Sequence, residues 1–381
     1  MAKKSFRILP LILLSLIVLG FLWLPKPQLT SFTNVSQDDE TLEAKVTAIT
    51  DQTDLKQDLN VKFLNGSLKN ESATVHNDKQ NTVQPEDFSV GQKVIVLKSK
   101  DAENKTTLHV IDHVRRDKIF ILFGIFVAVV LLITRFQGFT SLLGMAFSFL
   151  VLFQFILPRL LTGGNPILIS ILGCIIIIPV TFYLSHGFNK KTTISVVGTV
   201  ITLIITGLLA AFFVKISFLS GLASDDASFL KLYTGDTIDF RGLLLAGIII
   251  SLLGILDDIT ISQSAVVQEL YATKQTLSYW QLYKKAMNVG RDHIASIVNT
   301  LILVYAGAAL PLFLLFIDQS NSASEVLNYE MIAEEAVQTL VASIGLVLAV
   351  PITTLLACTF VSNKDKISPP HSHSHGTIIV Q

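Results

Sequence analysis

Two adjacent carboxylates, Asp257 and Asp258, close an apolar run in the stretch Gly254-Ile255-Leu256-Asp257-Asp258-Ile259-Thr260-Ile261-Ser262-Gln263-Ser264. A charged side chain at the centre of a bilayer costs about 2.5 to 3.5 kcal/mol even on a lenient scale, so acids, hydroxyls and an amide gathered here need a reason. Neighbouring carboxylates can share a proton, and with Ser262 they offer oxygens to a cation. Arg241 marks the outer boundary of the run. A rise of about 1.5 Å per residue puts Asp258 roughly 25 Å further in, near the inner edge of a core about 30 Å thick. At that depth two readings stand side by side. The pair faces a cavity between helices and binds a cation or proton, or it ends the span near water and caps the next segment.

A second polar group approaches from the same side. Asn288-Val289-Gly290-Arg291-Asp292-His293 leads into Asn299-Thr300 and then Tyr305-Ala306-Gly307-Ala308-Ala309-Leu310-Pro311. Asp292 and Asn299, two turns apart, share one helical face, with Asn299 about 10 Å deeper. Arg291 is a natural countercharge for Asp257, Asp258 or Glu269. The candidate site is therefore Asp258, Asp257, Asn299, Asp292, Arg291 and Ser262. For Asn299 the alternative is a single interhelical hydrogen bond that serves packing. Pro311 removes one backbone hydrogen bond and should kink its span.

The elements that hold these groups follow from composition. The 381 residues are 51% hydrophobic and 15% charged, with a mean hydropathy of +0.59, too apolar for a soluble fold. The apolar residues must face a lipid bilayer. Apolar runs cover about 119–134, 139–158, 166–185, 193–214, 242–262, 294–317 and 336–361. Another, from Ile8 to Leu24, follows Lys3, Lys4 and Arg7, and its exit, Leu24-Pro25-Lys26-Pro27, has no small-x-small cleavage site. Residues 1–25 are expected to stay as an uncleaved anchor. The expected fold is an α-helical polytopic membrane bundle of eight spans, seven of them within 118–362, with a small all-β extracytoplasmic domain.

That domain is read over residues 40–114. Glu43-Ala44-Lys45-Val46-Thr47-Ala48-Ile49 and Gly91-Gln92-Lys93-Val94-Ile95-Val96-Leu97 alternate as strands do. Asn65-Gly66 after Val61-Lys62-Phe63-Leu64 is a hairpin signal, because Gly and Asn accept positive φ cheaply. Such strands suit a compact barrel, an OB-like one among the options, without the aromatic platform of a nucleic-acid binder.

Short loops set the orientation, since Lys and Arg gather on the cytoplasmic side. An internal N-terminus places Lys190, Lys191, Lys274, Lys284, Lys285, Arg291, Lys364 and Lys366 inside. It exports residues 25–118 and two acidic loops, one with Asp225, Asp226, Asp236 and Asp239, the other with Asp318, Glu325 and Glu330. Arg115, Arg116 and Lys118 oppose this assignment. Both termini are then cytoplasmic, in the cell membrane. Ser278 and Gln281 have capping-box spacing, with Leu277 and Leu282 placed for a hydrophobic staple, so a helix along the inner interface or a linker helix is expected there.

Other features exclude more than they assign. Lys+Arg and Asp+Glu balance at 29 each, which removes the basic excess of a nucleic-acid binder. Cys174 and Cys358 sit in apolar runs and read as packing residues. The tail 363–381, with His371, His373 and His375, is low-complexity, disordered in expectation and a poor metal site. No cofactor is expected, and no internal repeat of the transporter kind is visible.

The chain resembles the YibE/F-like family of multi-pass membrane proteins from about residue 40 to 361. Leu64-Asn65-Gly66-Ser67-Leu68-Lys69-Asn70-Glu71, Val90-Gly91-Gln92-Lys93-Val94 and His109-Val110-Ile111-Asp112-His113-Val114-Arg115-Arg116 carry part of the likeness. Its most specific places are Asp258-Ile259-Thr260-Ile261-Ser262 and Asn288-Val289-Gly290-Arg291-Asp292 with Asn299-Thr300-Leu301-Ile302-Leu303 and Tyr305-Ala306-Gly307. The family's aspartate falls on Asp258. The resemblance implies a multi-pass protein of transporter type and brings no substrate with it.

The expected function is a permease or secondary transporter for an inorganic ion or small molecule, with its site near the cytoplasmic ends of spans six and seven. One alternative is a scaffold or accessory subunit that docks a protein partner through the β domain. An intramembrane aspartyl enzyme needs carboxylates facing across a substrate, whereas helical neighbours are turned about 100° apart, so no enzyme is expected.

Overall fold

The computed structural model describes residues 39–53, 56–78, 87–100, 105–317 and 323–362, together with Gly20. The rest of the expected N-terminal anchor, Asp318 and the histidine tail lie outside the described residues. Two units partition the chain, residues 30–133 and residues 1–29 with 134–381.

The first unit holds five strands, β1 (Glu40–Gln52), β2 (Lys56–Phe63), β3 (Ser72–Asp78), β4 (Lys93–Lys100) and β5 (Thr106–His113). They close into a barrel ordered β1-β2-β3-β5-β4, with β3 parallel to β5 and the other pairs antiparallel. Period-two alternation fills its interior. Leu42, Ala44, Leu59, Val61, Phe63 and Val94 are each fully buried there. Gln57 is buried too, and its amide is satisfied at both ends: Nε2 donates to Phe88 O at 2.9 Å, and Phe88 N donates to Oε1 at 2.9 Å.

The hairpin signal at Asn65-Gly66 marks a turn of a different kind from a two-residue loop. β2 and β3 pair antiparallel, but residues 64–71 connect them. Gly66 takes φ +72, and a Cβ there would stand 2.0 Å from Leu42 Cδ2, so the position has no room for a side chain. Asn65 Oδ1 accepts from Glu43 N at 2.7 Å and ties the loop to β1 instead of tightening it.

Helix α1 (Arg116–Val151) starts two residues after β5. Arg116 forks onto Glu43 at 2.9 and 3.2 Å, and Lys93 meets Asp117 at 2.6 Å, so the barrel grips the first turn. α1 kinks at Arg135 (φ 52, ψ −124) and continues through a π turn, Leu152–Ile156, into α2 (Leu157–Leu161). The spans expected at 119–134 and 139–158 thus lie on one kinked helical run.

The second unit continues with α3 (Pro166–His186), α4 (Lys190–Ile216), α5 (Asp225–Thr234), α6 (Phe240–Thr273), α7 (Tyr279–Ala308), α8 (Leu310–Ile317), α9 (Ala323–Val326) and α10 (Glu330–Ser362). Among the described residues, five helical runs are long and apolar enough to cross a membrane: Arg116–Leu161, α3, α4, α6 and Glu330–Val361 of α10. The run expected at 294–317 is divided between α7 and α8 by a turn at Ala309, beside Pro311. This is a helical membrane protein with a small five-stranded barrel. Cys174 and Cys358 are free and buried.

One expectation needs correcting. The capping box is present, with Ser278 N donating to Gln281 Oε1 at 3.1 Å, and Leu282 and Leu277 join one apolar cluster. The helix it starts does not lie separately on the membrane surface. α7 runs unbroken from Tyr279 to Ala308, and its buried Leu282, Ala286 and Gly290 repeat every four residues. That stripe packs on protein, against Val267 of α6 and Ala357 and Cys358 of α10.

Candidate functional site

α6 carries polar groups on two faces, and they meet different surroundings. Thr260, Gln263 and Ser264 turn into the bundle and are fully buried. Thr260 Oγ1 lies 2.8 Å from Thr199 Oγ1 and donates to Leu256 O at 3.0 Å. Ser195 Oγ of α4 donates to Thr260 O at 3.0 Å. Gln263 Nε2 donates to Thr354 Oγ1 of α10 at 2.7 Å and to Ala286 O of α7 at 3.2 Å. Small residues bring the helices this close: a Cβ on Gly290 would stand 2.5 Å from Val350 Cγ1, and one on Gly345 2.6 Å from Thr206 Oγ1. In this seam Thr353 Oγ1 alone, among the described residues, is buried without a partner.

Asp257 and Asp258 point the other way. They line a cavity of about 510 Å³ formed by α1 beyond its kink, the π turn, α3 and α6. Its polar wall adds Ser141 and Ser148 from α1 and Thr181, Ser185 and His186 from α3. Its apolar wall includes Met145, Phe149, Leu152, Ile177, Phe182 and Leu253. The π turn brings Leu152 and Ile156 to the wall, and Gly173 leaves room for Ile156, whose Cδ1 would stand 2.5 Å from a Cβ there. Asp257 Oδ1 is buried with no hydrogen-bond partner. The charges of Asp257 and Asp258 act on one another, and Asp258 and Lys191 both act on His186. Among the described residues no three or more His, Cys, Asp or Glu side chains gather as a metal site.

Two of the hydroxyls of this wall, Ser148 and Thr181, are left as acceptors by their own helices. Ser148 Oγ donates to Gly144 O at 3.1 Å and Thr181 Oγ1 to Ile177 O at 3.0 Å, so their protons serve their own helices. What they present outward is lone pairs.

The six sequence candidates part company. Asp257 and Asp258 share the cavity. Ser262 Oγ donates to Asp258 O at 2.8 Å, back into its own helix. Arg291, Asp292 and Asn299 are exposed on α7 and do not line the cavity. No ion pair joins Arg291 to Asp257 or Asp258 among the described residues. His186, Ser185, Thr181, Ser148 and Ser141 escaped the sequence reading because His186, Ser185, Thr181 and Ser141 lie near the ends of apolar runs, where a polar residue costs little, and Ser148 is one hydroxyl within a run, which its own helix can satisfy. The available signal was common depth: on the expected topology Ser141, Thr181, Ser185, His186 and the acids fall toward the cytoplasmic ends of their spans, with Ser148 deeper.

No curated protein and no solved structure matches the chain. The profile of a family described as YibE/F-like protein matches residues 122–363, more than half of the chain and all of the cavity wall. With the carboxylate cavity and its helices inside that match, the chain belongs to the YibE/F-like family.

Proposed function

We propose that the protein is a permease, a secondary transporter whose ligand or coupling site is the cavity at Asp257 and Asp258. The observation that carries this is the Asp257 carboxylate, one oxygen buried without a partner in a span of a membrane protein, beside a second acid and a cavity. A structural role would be expected to satisfy that oxygen, as the seam on the opposite face satisfies Gln263. A proton or a cation answers the charge when bound and frees it when released.

The topology that suits this function has eight spans, with both termini in the cytoplasm and residues 25–118 outside the cell membrane. Lys190 and Lys191, just beyond His186, then mark the cavity end as cytoplasmic. Arg115 and Arg116, which oppose this orientation, have work in the barrel, since Asp112 and Glu43 hold them. In proteoliposomes with an internal pH dye, Asp258→Asn should abolish cation-driven proton flux at unchanged protein level. Wild-type flux in that variant would end the proposal. If the protein is instead a scaffold for a partner at the barrel, deleting residues 41–113 should remove function while Asp258→Asn leaves it intact.

A further inference from the structure

We propose that the cavity binds an amphipathic organic cation, an ammonium group on an apolar body, an assignment that rests on the cavity being the ligand site. Its volume of about 510 Å³ lies within the range of roughly 300 to 1,000 Å³ typical of small-molecule sites. One water occupies about 30 Å³ of liquid, so a small inorganic ion would leave most of this space unfilled. The walls agree with size. Met145, Phe149, Phe182 and Leu253 offer apolar contact, which an inorganic ion cannot use and a hydrocarbon or aromatic body can.

The polar end selects charge and hydrogen-bonding sense together. Asp257 and Asp258 supply two carboxylates, and no lysine or arginine is among the lining residues. Ser148 and Thr181 have committed their protons to backbone carbonyls, so with the carboxylates they form a surface of acceptors. An ammonium group, all donors and positive, complements that surface. Ser141 and Ser185 add hydroxyls that can turn a lone pair to the ligand, and His186, at the α3 end, is the one lining group able to carry a competing positive charge. Access fits as well. Phe149 is 51% exposed and stacks on Phe153, 60% exposed, so the margin of the cavity belongs to the surface that lipid covers. A molecule with an apolar body and one charge partitions into that layer before it binds.

The test uses the full chain in nanodiscs at pH 7 and the fluorescence of 2-(1-naphthyl)ethylamine, with 1-ethylnaphthalene as the uncharged comparator. The amine should bind saturably and at least tenfold more tightly than the hydrocarbon. Asp257→Asn should erase that advantage and leave hydrocarbon binding unchanged. If that variant does not fold, Asp258→Asn replaces it. Gly254→Phe should block both ligands, since Gly254 lines the cavity and a Cβ there meets nothing within 4 Å, and its melting temperature reports that it folds. Equal affinity for the two naphthalenes would mark a groove for lipid chains and overturn the proposal, as would amine binding that both aspartate variants leave unchanged. Proton flux that depends on Asp258 without any amine binding would remove this ligand and keep the transporter. Amine binding that depends on Asp257 without flux would do the reverse.

Discussion

The two polar faces of α6 answer the same problem in opposite ways. Toward α4, α7 and α10, Thr260 and Gln263 are buried and bonded, and glycines press the helices against them. Toward α1 and α3, Asp257 and Asp258 carry more charge, have fewer partners and border open volume. A bundle that can satisfy an amide to within 2.7 Å on one side has the means to satisfy a carboxylate on the other. The contrast separates a face built to hold helices together from one left ready for something that comes and goes.

The sharpest way to break this comparison is to spoil the closed face. Gly345→Leu drives a side chain into Thr206, whose Cγ2 would already be 2.7 Å from the new Cβ. Overpacking of this kind costs about 1 to 3 kcal/mol or more. The expected result is loss of folded protein in size-exclusion chromatography after detergent extraction. Gln263→Leu keeps the volume and removes two bonds, to Thr354 and Ala286. It should lower stability by about 1 to 2 kcal/mol, read as a lower melting temperature with transport retained.

On the open face the signs reverse. Asp257→Asn should change stability by less than about 1 kcal/mol, because no intramolecular bond to its buried oxygen is lost, while transport disappears. A melting temperature that fell as far as that of Gln263→Leu would mean that both faces are structural.

The smallest effect is expected in the barrel, away from both faces. The Asp112 carboxyl is held below the usual carboxylate range, first by the hydrogen bond from Arg115 and then by the His113 backbone N–H. A carboxyl depressed in the folded state stabilises the fold above its unfolded value of about 3.9 and loses that contribution as pH falls through the folded value. Barrel unfolding followed by circular dichroism should therefore be flat from about pH 8 to 5 and decline below about 4. Asp112→Asn should make the decline shallower, the rest coming from Glu40 and Asp117, which Ser67 and Lys93 hold low in the same way.

Much of this was legible in the chain. Strand alternation at Glu43–Ile49 and Gly91–Leu97, the capping box at Ser278 and the turn at Ala309 beside Pro311 are local, and local chemistry decided them. Asp257 and Asp258 were legible because acids are costly beside apolar runs. Their neighbours were not. Nothing in the spacing of Asp292 or Asn299 tells whether α6 meets α7 through its carboxylates or through Gln263, and a rotation of about 100° per residue separates the two answers. The continuity of α7 was hidden for a related reason: Gly290, which reads as a helix weakener, is the residue that lets α7 approach Val350.

The grip of the barrel on the first turn of α1 has a mechanical meaning. Two residues separate β5 from the helix, and the Arg116 and Lys93 ion pairs lie across that joint. A pull or twist on the barrel is passed to the start of α1 with little slack, as through a handle on a shaft. Lys93 and Asp117 are exposed to solvent and Glu43 is half-buried under an exposed Arg116, so rising salt would loosen the handle, at Lys93 first, before it unfolded the barrel.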